Sequence, residues 1–345
     1  MAVILKVEGL EVEFSVRGQR LKAIRKASLD LYEKETLAIV GESGSGKSVL
    51  IKSLTGMLEE NGEITKGSIK FEGMDLATLK KNSQWQGIRG KKIATVFQDP
   101  MTALNPMRRV GSQIEEAIQL HSGESRKSAR KKAIELMEKV GIEGAASRFS
   151  QYPHEFSGGM RQRIVIAIAL ACQPKVLLCD EPTTALDVRV QAQILDLISG
   201  LQEELGLTVI YITHDLGVVA SVADRVAIMY AGQIVEYGGV EDIFYRCAHP
   251  YTWALLSSLP QLAFGNEGIY AIGGTPPSLY HDIKGDAFAP RNPYALKIDF
   301  EEEPPFFKVG DGHYAKTWLM DPRAPKVKRP KALQNLHGRL KEIYP

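Results

Sequence analysis

Cysteine is scarce in this chain: Cys172, Cys179 and Cys247 are the only three in 345 residues, and none forms a CxxC pair. That excludes a disulfide-stapled secreted scaffold and fits a reducing compartment. Cys172 and Cys179 sit in apolar sequence and read as core residues. Long apolar runs are missing too, since none approaches the roughly 20 residues that cross a bilayer. The first residues, Met1-Ala2-Val3-Ile4-Leu5-Lys6, lack the apolar segment of a secretory leader. The expected location is therefore cytoplasmic, with membrane association made only through partners. Nor is one sign of charge in excess. The formal net charge of +2 gives no global case for nucleic acid or an anionic surface. There is no internal repeat and no low-complexity tract.

What is present is ordinary in bulk and uneven in detail. A hydrophobic content of 44% and a charged content of 24% are those of a soluble protein. The length exceeds what one compact domain usually holds, so two or three units are expected. The tail from Pro322 to Pro345 carries Arg323, Lys326, Lys328, Arg329, Lys331, Arg339 and Lys341 against Glu342 alone. It reads either as a solvated tail or as a contact for lipid headgroups or a partner.

The most informative stretch is Gly41-Glu42-Ser43-Gly44-Ser45-Gly46-Lys47-Ser48. It follows the apolar run Leu37-Ala38-Ile39-Val40 and precedes Val49-Leu50-Ile51-Lys52-Ser53-Leu54, the start of a helix. This is G-x-x-x-x-G-K-[ST] in the strand–loop–helix context that it needs to bind phosphate. Glycines let successive backbone N–H groups turn onto a phosphate, and the helix N-terminus adds partial positive charge there. Lys47 can reach the β- and γ-phosphates, and the Ser48 hydroxyl can ligate Mg²⁺.

In chain order, residues 3–14 alternate and predict two strands or one bent strand, with Arg17-Gly18-Gln19-Arg20 as a hairpin turn. An antiparallel edge thus precedes a parallel core. Lys91 to Phe97 is a buried strand ending at Gln98-Asp99-Pro100. From Val110 to Arg148 the apolar spacing turns helical, through Ile114, Ala117, Ile118, Leu120, Ala133, Ile134, Leu136, Met137 and Val140, and Gly141 ends the last helix. Ser157 caps a helix that opens on Gly158-Gly159, which is either ordinary capping or a second anion-binding helix start. Val176 to Cys179 is a buried strand ending in Asp180-Glu181. Acids at the C-terminal edge of a parallel strand face the ligand crevice. Asp180 suits Mg²⁺, directly or through water, and Glu181 suits polarising an attacking water. Thr208 to Thr213 is another buried strand, and His214 at its end can reach a γ-phosphate. Val226–Tyr230 and Gln233–Tyr237 flank a hairpin at Ala231-Gly232. After Cys247 the strand–helix alternation stops.

The order of these features resembles the nucleotide-binding subunit of an ABC transporter over roughly residues 3–247. The resemblance implies an α/β fold: a P-loop NTPase core with an antiparallel β edge, a helical insert at about 99–160 and a small irregular extension at 248–345. It implies ATP and Mg²⁺ as ligands and ATP hydrolysis as the activity. Gly41, Glu42, Ser43, Gly44, Ser45, Gly46, Lys47 and Ser48 look like Walker A, and Asp180 like the Walker B aspartate. Glu181 looks like the catalytic base, Gln98 like the Q-loop residue, and His214 like the switch histidine. Ser157, Gly158 and Gly159 look like the signature that caps a partner's ATP, and Asp187, in Thr184-Ala185-Leu186-Asp187, like the D-loop aspartate. Phe14 is the candidate for stacking on adenine. Mg²⁺ would be held by Ser48, Gln98 and Asp180.

Phe97-Gln98-Asp99-Pro100-Met101-Thr102-Ala103-Leu104-Asn105-Pro106, Phe156 to Arg163, His249-Pro250-Tyr251-Thr252 and Gly274-Thr275-Pro276-Pro277 look like the oligopeptide/dipeptide importer branch. Met160 resembles the D-type subunit. The resemblance implies a heterodimer with a second ATPase, two membrane permeases, and an extracellular solute-binding protein engaged indirectly. It places the chain peripherally on the cytoplasmic face of the membrane, with no nucleic-acid partner. Oligosaccharide uptake is the alternative within the branch, and a soluble ABC ATPase acting on nucleic acid or ribosomes is a distant one. The branch often carries a cysteine-ligated iron–sulfur cluster in its extension. Here Asp286, Asn292, the Ile298-Asp299 pair and Thr317 stand where cysteines are expected, so no cluster is expected. Packing of Phe288, Tyr294 and Trp318 is expected to shape the extension instead.

Overall fold

The structure is a computed structural model and describes residues 2–184, 186–258, 272–334 and 336. Ala185 and the part of the basic tail holding Arg339, Lys341 and Glu342 lie outside the described residues. The alternation that begins at Val3 produces one strand, β1 (Val3–Val16), rather than two. Gly9, at φ +56°, and slips in register against β2 (Gln19–Tyr32) bend it without breaking it. Arg17 and Gly18, both at positive φ, close the hairpin between them, as a two-residue turn demands. Next come β3 (Thr36–Val40), α1 (Lys47–Thr55), β4 (Gly62–Phe71) and β5 (Met74–Asp75). Strands β2-β1-β4-β5 form a four-stranded antiparallel sheet.

The short α2 (Asn82–Trp85) leads into β6 (Ile93–Val96). A helical stretch follows: α3 (Pro100–Ala103), α4 (Val110–Ser122), α5 (Arg126–Lys139), α6 (Ala145–Arg148) and α7 (Gly158–Leu170). Gly141, at φ +80°, stops α5. Leu120 corrects the sequence reading: it is 76% exposed. It stands two residues beyond buried Ile118, about 200° round the helix, and so points away from the core.

The α/β alternation then resumes with β7 (Val176–Asp180), α8 (Val188–Leu205), β8 (Thr208–Thr213), α9 (Leu216–Val222), β9 (Arg225–Tyr230) and β10 (Gln233–Gly239). Helix α10 (Val240–Arg246) follows, and the extension adds α11 (Pro250–Ser257) and the strands β11 (Phe307–Gly310) and β12 (His313–Ala315). The main sheet has eight strands in the order β11-β12-β10-β9-β3-β8-β7-β6. Strands β6, β7, β8, β3 and β9 run parallel. Both of their faces are covered, which is why they read as unbroken apolar runs. Leu177, Cys179, Val209 and Tyr211 pack with the helical layer, while Leu37, Ile39, Leu178, Ile210 and Ile212 pack with the antiparallel sheet and α1.

Much of the extension is irregular, but its β11–β12 hairpin continues the main sheet by pairing Glu236 with Ala315 and Tyr237 with Tyr314. Phe288, Tyr294 and Trp318 do pack: Phe288 and Tyr294 share one core cluster with Tyr230, Tyr251 and Trp253, while Trp318 packs apart from it. Phe288 meets Tyr230 and Tyr251, Tyr294 meets Trp253, and Trp318 meets Phe307.

Candidate functional site

Parallel pairing puts the C-terminal ends of β3, β6, β7 and β8 at one edge of the sheet. The loop Gly41–Gly46, Gln98, the Asp180-Glu181 pair and His214 all leave from that edge. A cleft of about 920 Å³ opens there, lined by Ser43, Gly44, Gly46, Lys47, Ser48, Gln98, Glu181 and His214, with Phe14, Val16, Leu21 and Leu279 on an apolar wall. That volume and mix of lining suit a nucleotide-sized ligand.

The loop can be built only with glycine at its ends. A Cβ on Gly41 would lie 2.1 Å from the Met229 carbonyl oxygen, and Gly46 stands at φ +106°, beside Ala23. Lys47 is buried, and its Nζ donates to the carbonyls of Gly41 at 2.8 Å and Glu42 at 2.9 Å. Burial lowers its pKa, partly offset by Glu181, Asp180 and Glu42 nearby. An anionic phosphate entering the cleft would give that ammonium a stronger acceptor than the two carbonyls. Ser48 Oγ stands 3.5 Å from Asp180 Oδ1, and burial raises the Asp180 pKa. A hydroxyl, a carboxylate and the Gln98 amide are hard oxygen donors and fit Mg²⁺.

Glu181 is the most constrained group of the site. Its backbone is left-handed, at φ +46°, which is strained for a residue with a Cβ. Its N–H donates to Ile212 O at 2.9 Å, so the β7–β8 ladder holds it there. Three side chains grip the carboxylate. Gln98 Nε2 and Thr184 Oγ1 donate to Oε2 at 2.8 and 3.0 Å, and His214 Nδ1 lies 3.0 Å from Oε1. Gln98, Glu181 and His214, far apart in sequence, thus meet at one carboxylate. The role of Thr184 was not legible beforehand, because a threonine three residues past an acid carries no such signal.

The other candidates take different places. Phe14 lines the cleft wall but is 8% exposed, its ring packed where Gly62 leaves room. Ser157 caps α7 through the Met160 N–H, and a Cβ on Gly159 would lie 2.5 Å from Val190. Ser157, Gly158 and Gly159 are not among the residues that line the cleft. Asp187 caps α8 by accepting from the Val190 N–H at 3.0 Å.

The cluster positions of the extension do not fit a thiolate-bound metal. Asp286 accepts from the Phe288 N–H, Asn292 from the Tyr294 N–H, Asp299 from the Leu296 N–H and Thr317 from the Leu319 N–H. Each side chain thus closes a turn of its own backbone. Burial, with Asp299 nearby, pushes the Asp286 carboxyl up to about 7. Its Oδ2 has no partner among the described residues. The fold therefore favours the protonated acid. That contribution is whole below about pH 4, declines as pH rises, and is gone above about 7. Stability should fall over this window by on the order of 4 kcal/mol, and Asp286→Asn should flatten the slope. Urea midpoints from pH 5 to 8 measure both; an unchanged slope in the variant would reject the assignment.

Comparison with known proteins agrees with this geometry. Residues 24–184 match the ABC transporter family model, and residues 235–298 match the model for the C-terminal region of oligopeptide/dipeptide transporters. The chain is 61% identical to the oligopeptide transport ATP-binding protein AmiE of Streptococcus pneumoniae over 99% of its own length and 96% of the relative's. It is 55% identical to the dipeptide transport ATP-binding protein DppD of Lactococcus lactis subsp. cremoris, covering 94% and 93% of the two chains. It is also 55% identical to the oligopeptide transport ATP-binding protein OppD of Bacillus subtilis, covering 96% and 93%. Among solved structures, a dimeric bacterial ABC transporter cassette superimposes with a TM-score of 0.61 at 28% identity, over 68% of this chain and 98% of that one. From motif, geometry and likeness together, the chain belongs to the ATP-binding proteins of ABC transporters, in their oligopeptide/dipeptide transport family.

Proposed function

We propose that this chain hydrolyses ATP to drive uptake of oligopeptides or dipeptides through a membrane importer. The observation that carries the chemistry is the triple grip on Glu181, which fixes one carboxylate beside the phosphate loop. In this reading Gly41 to Ser48 cradle the phosphates, and Lys47 leaves its carbonyl partners for the β- and γ-phosphates. Mg²⁺, held by Ser48, Asp180 and Gln98, would neutralise charge on those phosphates. Glu181 takes a proton from the attacking water, oriented by Gln98, Thr184 and His214. The apolar wall with Phe14, Val16, Leu21 and Leu279 takes the base. Ser157, Gly158 and Gly159 then serve the nucleotide of a second ATPase, with Asp187 at the same junction; their place outside this chain's own cleft supports that role.

The working units are residues 1–247, the cassette with its helical insert at about 99–160, and 248–345, the extension. The partners are a different ATPase subunit and two permeases on the cytoplasmic face of the membrane, fed by an extracellular binding protein, with no nucleic acid. No iron–sulfur cluster is assigned, because the residues present are turn-closing oxygens rather than thiolates. Co-expression with the permeases and the second ATPase, followed by phosphate release in vesicles, tests the whole reading. Peptides are expected to stimulate hydrolysis several-fold. Stimulation by oligosaccharides instead would overturn the solute, and nucleic-acid stimulation without permeases would overturn the class.

A further inference from the structure

The phosphate-loop pattern leaves its second position open, yet here it is an acid, Glu42. The extension holds that residue at both ends. Arg291, whose side chain is only 5% exposed, donates through Nη1 to Glu42 Oε2 at 2.8 Å and through Nη2 to Oε1 at 3.1 Å. Two of its other donors aim the fork. Nη1 also reaches Tyr230 Oη at 3.1 Å, and Nε donates to Gly273 O at 2.8 Å. The Glu42 N–H donates to Tyr251 Oη at 2.8 Å, from α11. Tyr230, Tyr251 and Phe288 pack against one another, with ring centroids 4.5, 5.3 and 5.4 Å apart, so the hydroxyls are held on a rigid base. On its other side, Glu42 O accepts from Lys47 Nζ. A continuous path therefore runs from Arg291 to Glu42 to the phosphate-binding lysine, joining residues 249 apart in sequence.

We propose that Arg291 is a positioning residue for nucleotide: the extension sets the shape of the phosphate loop through the Arg291–Glu42 fork, and ATP affinity depends on it. This rests on the reading of Gly41–Ser48 as the phosphate loop. A planar bidentate pair fixes orientation as well as distance, which a single point charge does not. Removing the fork frees the side chain of the loop's second residue and lets Lys47 settle on its own carbonyls in more than one way.

A double-mutant cycle on the full chain, read with a fluorescent ATP analogue, tests the proposal. Arg291→Gln and Glu42→Gln should each weaken binding by about tenfold. The double variant should be no weaker than either single, because both remove one interaction. Arg291→Lys, which keeps the charge and loses the fork, should fall between parent and Arg291→Gln. In the assembled transporter the loss should appear in KM for ATP more than in kcat. Additive effects in the cycle, or full recovery in Arg291→Lys, would overturn the proposal. Should Arg291→Gln not accumulate as folded protein, Arg291→Lys with Glu42→Gln completes the cycle. Lys47→Ala is read in parallel: undiminished nucleotide binding there would sink the phosphate-loop reading itself, separately from the fork.

Discussion

Glu181→Gln should bind ATP about as well as the parent and release phosphate some 10²–10³-fold more slowly, on the order expected when a positioned general base is removed. The exchange is nearly isosteric, so the left-handed backbone at φ +46° and the ladder bond to Ile212 O are unaffected. The amide oxygen still accepts from Gln98 and Thr184, which hold Oε2 at 2.8 and 3.0 Å. What disappears is the charge, and with it the proton acceptor. A water positioned against the γ-phosphate is then no better a nucleophile than in bulk. On the proposed pairing with a second ATPase, the variant should trap ATP, with closure reached and hydrolysis blocked. Retained radiolabelled ATP after gel filtration of the assembled transporter, set beside phosphate release, measures the two halves. Unchanged turnover would remove Glu181 as the base and leave His214, which lies 3.0 Å from it, as the candidate.

The second large effect concerns stability and lies away from the cleft. Glu236, on β10, is fully buried. Its Oε1 accepts from the Ala248 N–H at 2.6 Å and faces His313 Nε2 at 2.9 Å, and its Oε2 accepts from the His249 N–H at 3.1 Å. One side chain thus satisfies the entry to α11 and the ring of β12. Glu236→Ala should cost about 3–5 kcal/mol, because it strands the His313 ring and two backbone donors in an apolar setting. Glu236→Gln keeps one acceptor oxygen and should cost about 1–2 kcal/mol. Urea unfolding gives the totals. Hydrogen exchange should show Tyr314 and Ala315 losing protection before β3 or β8, since the hairpin depends on that contact. A loss below about 1 kcal/mol for the alanine variant would mean that water replaces the carboxylate.

The two results bear on different kinds of legibility. Glu181 could be named beforehand because it closes an apolar strand, and parallel strands bring such ends to one edge. Gln98, Asp180 and His214 follow the same rule. Glu236 could not: within Gln233-Ile234-Val235-Glu236-Tyr237 it looks like the solvated member of an edge strand. It is buried because the β11–β12 hairpin, some 70 residues later, covers that edge. Leu120 failed in the opposite direction, an apolar residue on the exposed side of α4.

Sequence alone determined the glycine loop at Gly41–Ser48, the helix cap at Ser157, and the turn at Arg17-Gly18. These depend on residues within a few positions of one another, where glycine, side-chain oxygen and apolar period act directly on the backbone. It also marked the extension as lacking thiolates, since that needs only a residue type. Tertiary structure alone decided that Thr184 joins the grip on Glu181, that Phe14 is packed under Gly62, and that Arg291 meets Glu42. The reason is range: a charge pair or a ring contact between distant segments leaves no local mark. It exists only once the sheet order has brought those segments together, at an energy too small for any pattern in the chain to announce.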